Sequence, residues 1–285
     1  MRLRRCLTVA LILLGACTAC RREPARTNEV VAIPVSRLPA EPQDDAWNRA
    51  PEYLAKLLPQ DLVEPRLLKV STPEVRVKAL STGSEITFRL QWTDSKVDDM
   101  PGPGQFLDSC AVQLPKTIAP EPPDPQMGHA GRPVEITFWR ADWQASVNGR
   151  GDTIKDLYPN ASIDHYPFQA PSLDKDPAVQ KEMAARYAPA AALGNRRTGP
   201  RDSPVEDMVS EGPGTLSHLP SLGSKGKGIR TPDGWMVILS RRLPEGLAPR
   251  QRTQVAFAVW EGSQKEVGSR KMRTGWIPLL VREAR

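Results

Sequence analysis

The sequence predicts an all-β fold, an antiparallel β-sandwich with long loops and a few short helices. Three observations carry that expectation. Proline accounts for 29 of the 285 residues, about twice the usual ~5%, which disfavours a helical bundle. In the clearest segments apolar residues alternate with polar ones, the period of a strand with one buried face. Those segments are short and bounded by Gly, Pro, Ser and Asp turns. At 285 residues, one large β domain is the default, because single β domains of about 250 residues are common.

The N-terminus reads as an address. Arg2, Arg4 and Arg5 precede an apolar stretch from Leu7 to Ala16 that ends at Cys17, the layout of an export signal over residues 1–16. The stretch is too short for a stable bilayer span. Leu14-Gly15-Ala16-Cys17 looks like a bacterial lipobox, so Cys17 is the expected lipidation site. The expected location is the periplasmic side of the cell envelope, with the membrane reached through the lipid. Residues 17–43 are rich in Arg, Pro and Glu and read as a flexible tether. The folded domain is expected over 44–285.

Within that domain Glu74–Leu80 and Glu85–Trp92 alternate around the turn Ser81-Thr82-Gly83-Ser84 and read as a hairpin. Cys110–Leu114 is a short strand ending at Pro115, and Val134–Trp143 alternates again. So does Trp235–Leu239, after the turn Thr231-Pro232-Asp233-Gly234. Thr253–Trp260 and Trp276–Val281 complete the strands. Residues 115–133 form a proline-dense loop. Residues 145–230 are long, polar and poor in strand signal, with one short helix at Asp176–Tyr187. Loops of that size are usually functional or disordered.

Composition excludes several functions. The formal charge of +6 is partly a signal effect, since residues 1–16 hold three Arg and no acid. Lys and Arg are scattered among acids, so no nucleic-acid partner is expected. Cys17-Thr18-Ala19-Cys20 is followed by Arg21 where covalent haem attachment needs His. His129, His165 and His218 fall in no metal motif, and neither a G-x-S-x-G elbow nor a Walker loop occurs. Catalysis by side chains alone is not expected.

From Asp44 onward the order of short motifs resembles the haem b-binding γ subunits of the ethylbenzene dehydrogenase type, which accompany exported molybdenum enzymes of the dimethyl sulfoxide reductase family. The residues are Asp45-Ala46-Trp47, Leu90-Gln91-Trp92-Thr93-Asp94, Phe106 to Pro115, Met127-Gly128 with Pro133 to Ala141, Lys227-Gly228 before Asp233-Gly234-Trp235, Val255 to Ser263, Arg270-Lys271 and Trp276. The resemblance implies a b haem at one end of an immunoglobulin-like or carbohydrate-binding-module-like sandwich, held by a Met and a Lys. Carried over by motif, the Met is Met127 and the Lys is Lys227, with Lys225 the alternative two residues away. His129, two residues from Met127, stays open as an iron ligand. Arg241, Arg242 and Lys271 are candidates for the haem propionates.

The implied role is electron transfer between the iron–sulfur β subunit of a molybdopterin oxidoreductase and a soluble or membrane carrier. Substrate chemistry (nitrate, nitrite, chlorate, selenate, dimethyl sulfide or a hydrocarbon) would belong to the molybdopterin α subunit. Two other classes compete. One is a carbohydrate-binding β-sandwich lipoprotein without haem, whose aromatics stack on sugars. The other is a structural lipoprotein whose long loops dock a partner.

Overall fold

The computed structural model describes residues 28–151, 154–162, 175–187, 201–219 and 222–283. The expected export signal, Cys17 and His165 lie outside the described residues. In chain order the strands are β1 (Val30–Pro34), β2 (Tyr53–Lys56), β3 (Leu58–Pro59), β4 (Glu74–Ser81), β5 (Glu85–Thr93), β6 (Ser109–Pro115) and β7 (Val134–Arg140). They continue with β8 (Val205–Ser210), β9 (Ser217–His218), β10 (Lys225–Thr231), β11 (Gly234–Arg242), β12 (Arg252–Trp260), β13 (Met272–Arg273) and β14 (Ile277–Val281). The helices are α1 (Ala141–Val147), α2 (Ile154–Leu157) and α3 (Pro177–Tyr187).

The strands form one hydrogen-bonded path, β10-β11-β5-β4-β1-β14-β12-β6-β7-β8-β9, which doubles over at β12. The first half of β12 pairs with β14 through Val255↔Ile277, and the second half pairs with β6 from Ala256↔Gln113 onward. Two layers result, with the core between them. Alternation on β5 sends Ile86, Phe88, Leu90 and Trp92 inward, where they meet Cys110, Val112, Trp139, Phe257 and Val259 from the other layer. Phe88 meets Phe257 edge-on at 5.9 Å, and Trp139 lies between Trp92 at 6.5 Å and Trp235 at 5.1 Å. Burying such rings supplies most of the driving force, and their edge-to-face geometry adds to it.

The all-β sandwich is the observed class, and the expected strands occur with ends moved by at most three residues. Three local expectations are corrected. The tether does not extend to residue 43, because Val30-Val31-Ala32 is buried in β1. That strand runs parallel to both β4 and β14, between them. A continuous apolar run is what a central strand covered on both faces requires, and its polar surroundings hide it. Next, the strand expected through Trp143 ends at Arg140. The Ala141 N–H donates to Asp108 O at 2.9 Å, and α1 begins, so Trp143 does not continue the strand alternation from Trp139.

Finally, the supposedly strandless 145–230 contains β8, β9 and β10. In β8 the inward Asp207 disguises the pattern, since its carboxylate accepts from Thr137 Oγ1 at 2.9 Å and from the Leu222 N–H at 2.8 Å. In β10 the residues paired with core-facing Leu239 and Val237 are Gly226 and Gly228. A Cβ on Gly228 would stand 2.3 Å from Trp139 Cζ2, and one on Gly226 2.4 Å from Val205 Cγ1. Glycine is required there so that the strand backbone can lie against the Trp139 ring.

Gly228→Ala is therefore expected to destabilise the protein by about 1–3 kcal/mol through overpacking, read by denaturant unfolding. An Ala introduced at Gly83, where a Cβ meets nothing within 4 Å, separates steric overlap from the backbone cost at its φ of +93°.

Candidate functional site

Each layer has an outer face. That of β6, β7, β8 and the second half of β12 is apolar: Ala111, Val134, Ile136, Met208 and Trp260 are buried, and Met127, Phe138, Ala258 and Trp276 are half-buried against them. Register explains its shape. Ala258 pairs with Ala111 and Ala111 with Phe138, so two small side chains make a low floor beside a ring. Phe138 packs edge-on against Trp260 at 5.2 Å and against Trp143 at 5.5 Å, giving that floor an aromatic border.

The proline-dense loop delivers Met127 to this face. Trp276 Nε1 donates to Pro123 O at 2.6 Å, Gln113 Nε2 to Pro125 O at 3.1 Å, and the Gly212 N–H to Met127 O at 2.9 Å. Met127 has φ +72°, a left-handed conformation that costs a non-glycine residue roughly 1–3 kcal/mol and concentrates at functional sites. Gly128 follows at φ +80°, where a Cβ would lie 2.8 Å from Arg132 O and 2.9 Å from Ser210 O. The loop is thus held at a geometry that presents the thioether.

Lys271 reaches the same face from the other side. Ala258 pairs with Arg273 and Val259 with Met272, so continuing the register puts Lys271 opposite Trp260, with its Nζ 5.1 Å from the centroid of the Trp260 ring. The residue as a whole is half-buried, while its amine lies in low-dielectric surroundings. Burial, followed by the neighbouring Arg273 charge, lowers its pKa to about 8. A lysine binds a metal only as the free amine, so a lowered pKa favours ligation.

The structure does not bring Lys225 or Lys227 to Met127. Lys227 pairs with Ile238 and Lys225 with Ser240. Ile238 belongs to the outer cluster of the opposite layer, with Trp47, Ala50 and Leu80. Lys227 Nζ pairs with Glu41 Oε1 there at 2.6 Å. The physical reason is the period of two: Gly226 and Gly228 must face Trp139 and Val205, which turns both lysines to the far outer face. The core of the sandwich separates them from Met127.

His129 is near Met127 in the chain, but its Nδ1 accepts the Asp124 N–H at 3.2 Å and lies 3.7 Å from the Asp124 carboxylate. It serves to close its own loop. His218 lies 3.5 Å from Glu206 on exposed β9. Arg241 is fully buried and paired with Glu135, and Arg242 follows Ile238 and Ser240 at period two on the opposite outer face, so of the three propionate candidates only Lys271 lies on the Met127 face. Sequence reading quoted Lys271 without recognising its position, because the pairing of β13 with β12 follows a loop that carries no periodicity.

Met127 and Lys271, one soft thioether and one desolvated amine over a low apolar floor, are a donor set that fits the haem b implied by the resemblance. Trp276→Phe, which removes the bond to Pro123 and part of the indole packing on this face, is expected to speed amide exchange at residues 126–129 while global stability falls by about 1–2 kcal/mol. Hydrogen exchange read by mass spectrometry checks it.

Comparison with known proteins agrees with the resemblance. A respiratory nitrate reductase haem subunit of Haloferax mediterranei, provisionally assigned as such, is 25% identical over 95% of this chain and 78% of its own length. The chlorate reductase γ subunit of Ideonella dechloratans is 24% identical over 80% of this chain and 73% of its own. The dimethylsulfide dehydrogenase γ subunit of Rhodovulum sulfidophilum is 24% identical over 90% and 81%. Among solved structures, a family 9 carbohydrate-binding module from Caldicellulosiruptor kristjanssonii with cellotriose aligns at TM-score 0.42 and 8% identity, over 90% of this chain and 94% of that one. The family model described as ethylbenzene dehydrogenase matches residues 44–272, and the chain belongs to that family.

Proposed function

We propose that this chain is the haem b-carrying electron-transfer subunit of a molybdopterin oxidoreductase, with Met127 and Lys271 as the side chains that would hold the iron. The observation that carries this reading is the convergence of Met127 and Lys271 on one outer face, with Lys225 and Lys227 on the other. The bound haem supplies one-electron redox chemistry. Met127, a soft donor, would favour the reduced iron and raise its potential. Lys271 contributes a strong nitrogen donor once its proton has left. Trp260, Phe138 and the two alanines exclude water from one side, which further tunes the potential. With both side chains committed to the iron, the subunit would pass electrons without transforming a metabolite.

The relatives are subunits of nitrate, chlorate and dimethylsulfide enzymes. By that kinship the partners are an iron–sulfur β subunit, a molybdopterin α subunit and an external carrier. The export signal and Cys17 support a periplasmic, lipid-anchored placement. The carbohydrate-binding alternative requires an open aromatic platform, yet Trp47, Trp92, Trp139, Trp143, Trp235 and Trp260 are buried and Trp276 is half-buried with its Nε1 donating to Pro123 O.

The test is the absorption spectrum of the haem-reconstituted protein. Wild type is expected to show low-spin haem with sharp reduced α and β bands. Met127→Leu, a swap costing under about 1.5 kcal/mol of stability, and Lys271→Ala should each abolish it. Lys225→Ala with Lys227→Ala should leave it intact. Loss of the spectrum in the Lys225/Lys227 double variant, with Lys271→Ala unaffected, would return the ligand to the KGKG strand. An unchanged Met127→Leu would move it to His129.

A further inference from the structure

At the end of the sandwich where β5 and β12 finish, three buried carboxylates meet. Asp94 follows β5, Asp108 precedes β6 and Glu261 follows β12, and one ligand oxygen from each lies within 4.8 Å of the others. Their residues are 5%, 0% and 8% exposed. Asp108 is held in place by the Asp98 N–H at 2.8 Å, Trp235 Nε1 at 3.0 Å and the Gly262 N–H at 3.0 Å. Glu261 Oε1 accepts the Ser263 N–H at 3.2 Å, and Asp94 Oδ1 accepts the Lys96 N–H at 2.8 Å.

Asp94 Oδ2 provides a second, independent observation. Its side chain is 1% exposed, and this oxygen accepts no hydrogen bond. Arg230 Nη1 stands 3.4 Å away and likewise makes no hydrogen bond. A buried carboxylate oxygen left in that state costs free energy. The charge balance points the same way, for three carboxylates face one guanidinium. Lys96 is committed to Asp98 Oδ1 at 2.7 Å, with its amine largely in solvent. A cavity of about 600 Å³ reaches Asp94 and Glu261 and is also lined by Ser71, Ser95, Ser263 and Asp233. It offers an access route, and room for water ligands.

We propose that Asp94, Asp108 and Glu261 bind a calcium ion, with cavity water completing the shell. All the donors are hard oxygens, which excludes the softer transition metals as the preferred occupant. Calcium takes six to eight oxygen ligands in flexible geometry and so suits three carboxylates from separate segments completed by water, whereas magnesium demands near-ideal octahedral geometry. The ion would clamp three segments distant in sequence. One of them follows directly from Trp260, whose ring borders the floor between Met127 and Lys271. Calcium binding needs no haem, so it stands or falls separately from the electron-transfer reading.

The experiment uses the chelator-treated, haem-free full chain, titrated with calcium chloride by calorimetry and followed by thermal melting. One ion per chain should bind, and a hundredfold excess over Kd should raise the melting temperature by roughly 5–10 °C. Glu261→Gln and Asp94→Asn should each weaken calcium affinity at least tenfold and remove the shift. The absence of heat and of any shift at millimolar calcium would overturn the proposal. So would wild-type affinity in both variants, or binding of magnesium without calcium. If neither variant folds, terbium emission from the wild-type chain decides. Emission sensitised by Trp235 and quenched by added calcium supports the site, and its absence overturns it.

Discussion

The side-chain alternation of an extended strand decides what this protein can hold, because each residue of a strand belongs to one face only. Along β12, Val255, Phe257 and Val259 face the core while Ala258 and Trp260 face outward. The register of β13 on β12 then sets Met272 inward and places Lys271 beside the Trp260 ring. The same rule on β10 turns two glycines inward and two lysines away. In the proposed haem site, the period of two puts Lys271, and not Lys227, on the face that holds Met127.

Rigidity at that face comes from what lies beneath it. Trp139, fully buried, lies between Trp92 and Trp235 and presses on the bare backbone of Gly228. Its Nε1 shares Gln144 Oε1 with the Gly228 N–H, at 3.2 and 2.7 Å. Phe138, next in the chain, is thereby held outward among the rings of Trp143 and Trp260. The proline-dense loop is fastened at Pro123, Pro125 and Met127 to three separate segments, at Trp276, Gln113 and Gly212, so the strained Met127 backbone is supported from several sides. Redox sites gain from such fixed surroundings, since ligands that do not relax keep reorganisation small and the potential defined.

Much of the fold was legible because β4, β5, β7, β11 and β12 alternate cleanly between turns. β1 was not, because its apolar run sits within a polar stretch and its partners are more than forty residues away. β8 hides behind an inward, hydrogen-bonded Asp207, and β10 behind glycines that look like a turn until Trp139 is seen against them. At the site, Met127 was reachable by motif order alone. Lys271 was not, for its significance lies in a two-residue pairing after an irregular loop, and Lys227 attracted attention through a motif whose glycines serve packing. The carboxylates at Asp94, Asp108 and Glu261 are dispersed along the chain, and only the folded end of the sandwich collects them.

The most direct measurement is nuclear magnetic resonance of the reduced, haem-loaded protein carrying ¹³C-methyl methionine and ¹⁵N lysine. A single strongly ring-current-shifted methyl assigned to Met127, with one equally displaced side-chain nitrogen assigned to Lys271, is the predicted result. A displaced nitrogen belonging to Lys227 or Lys225, or an unshifted Met127 methyl, would contradict it.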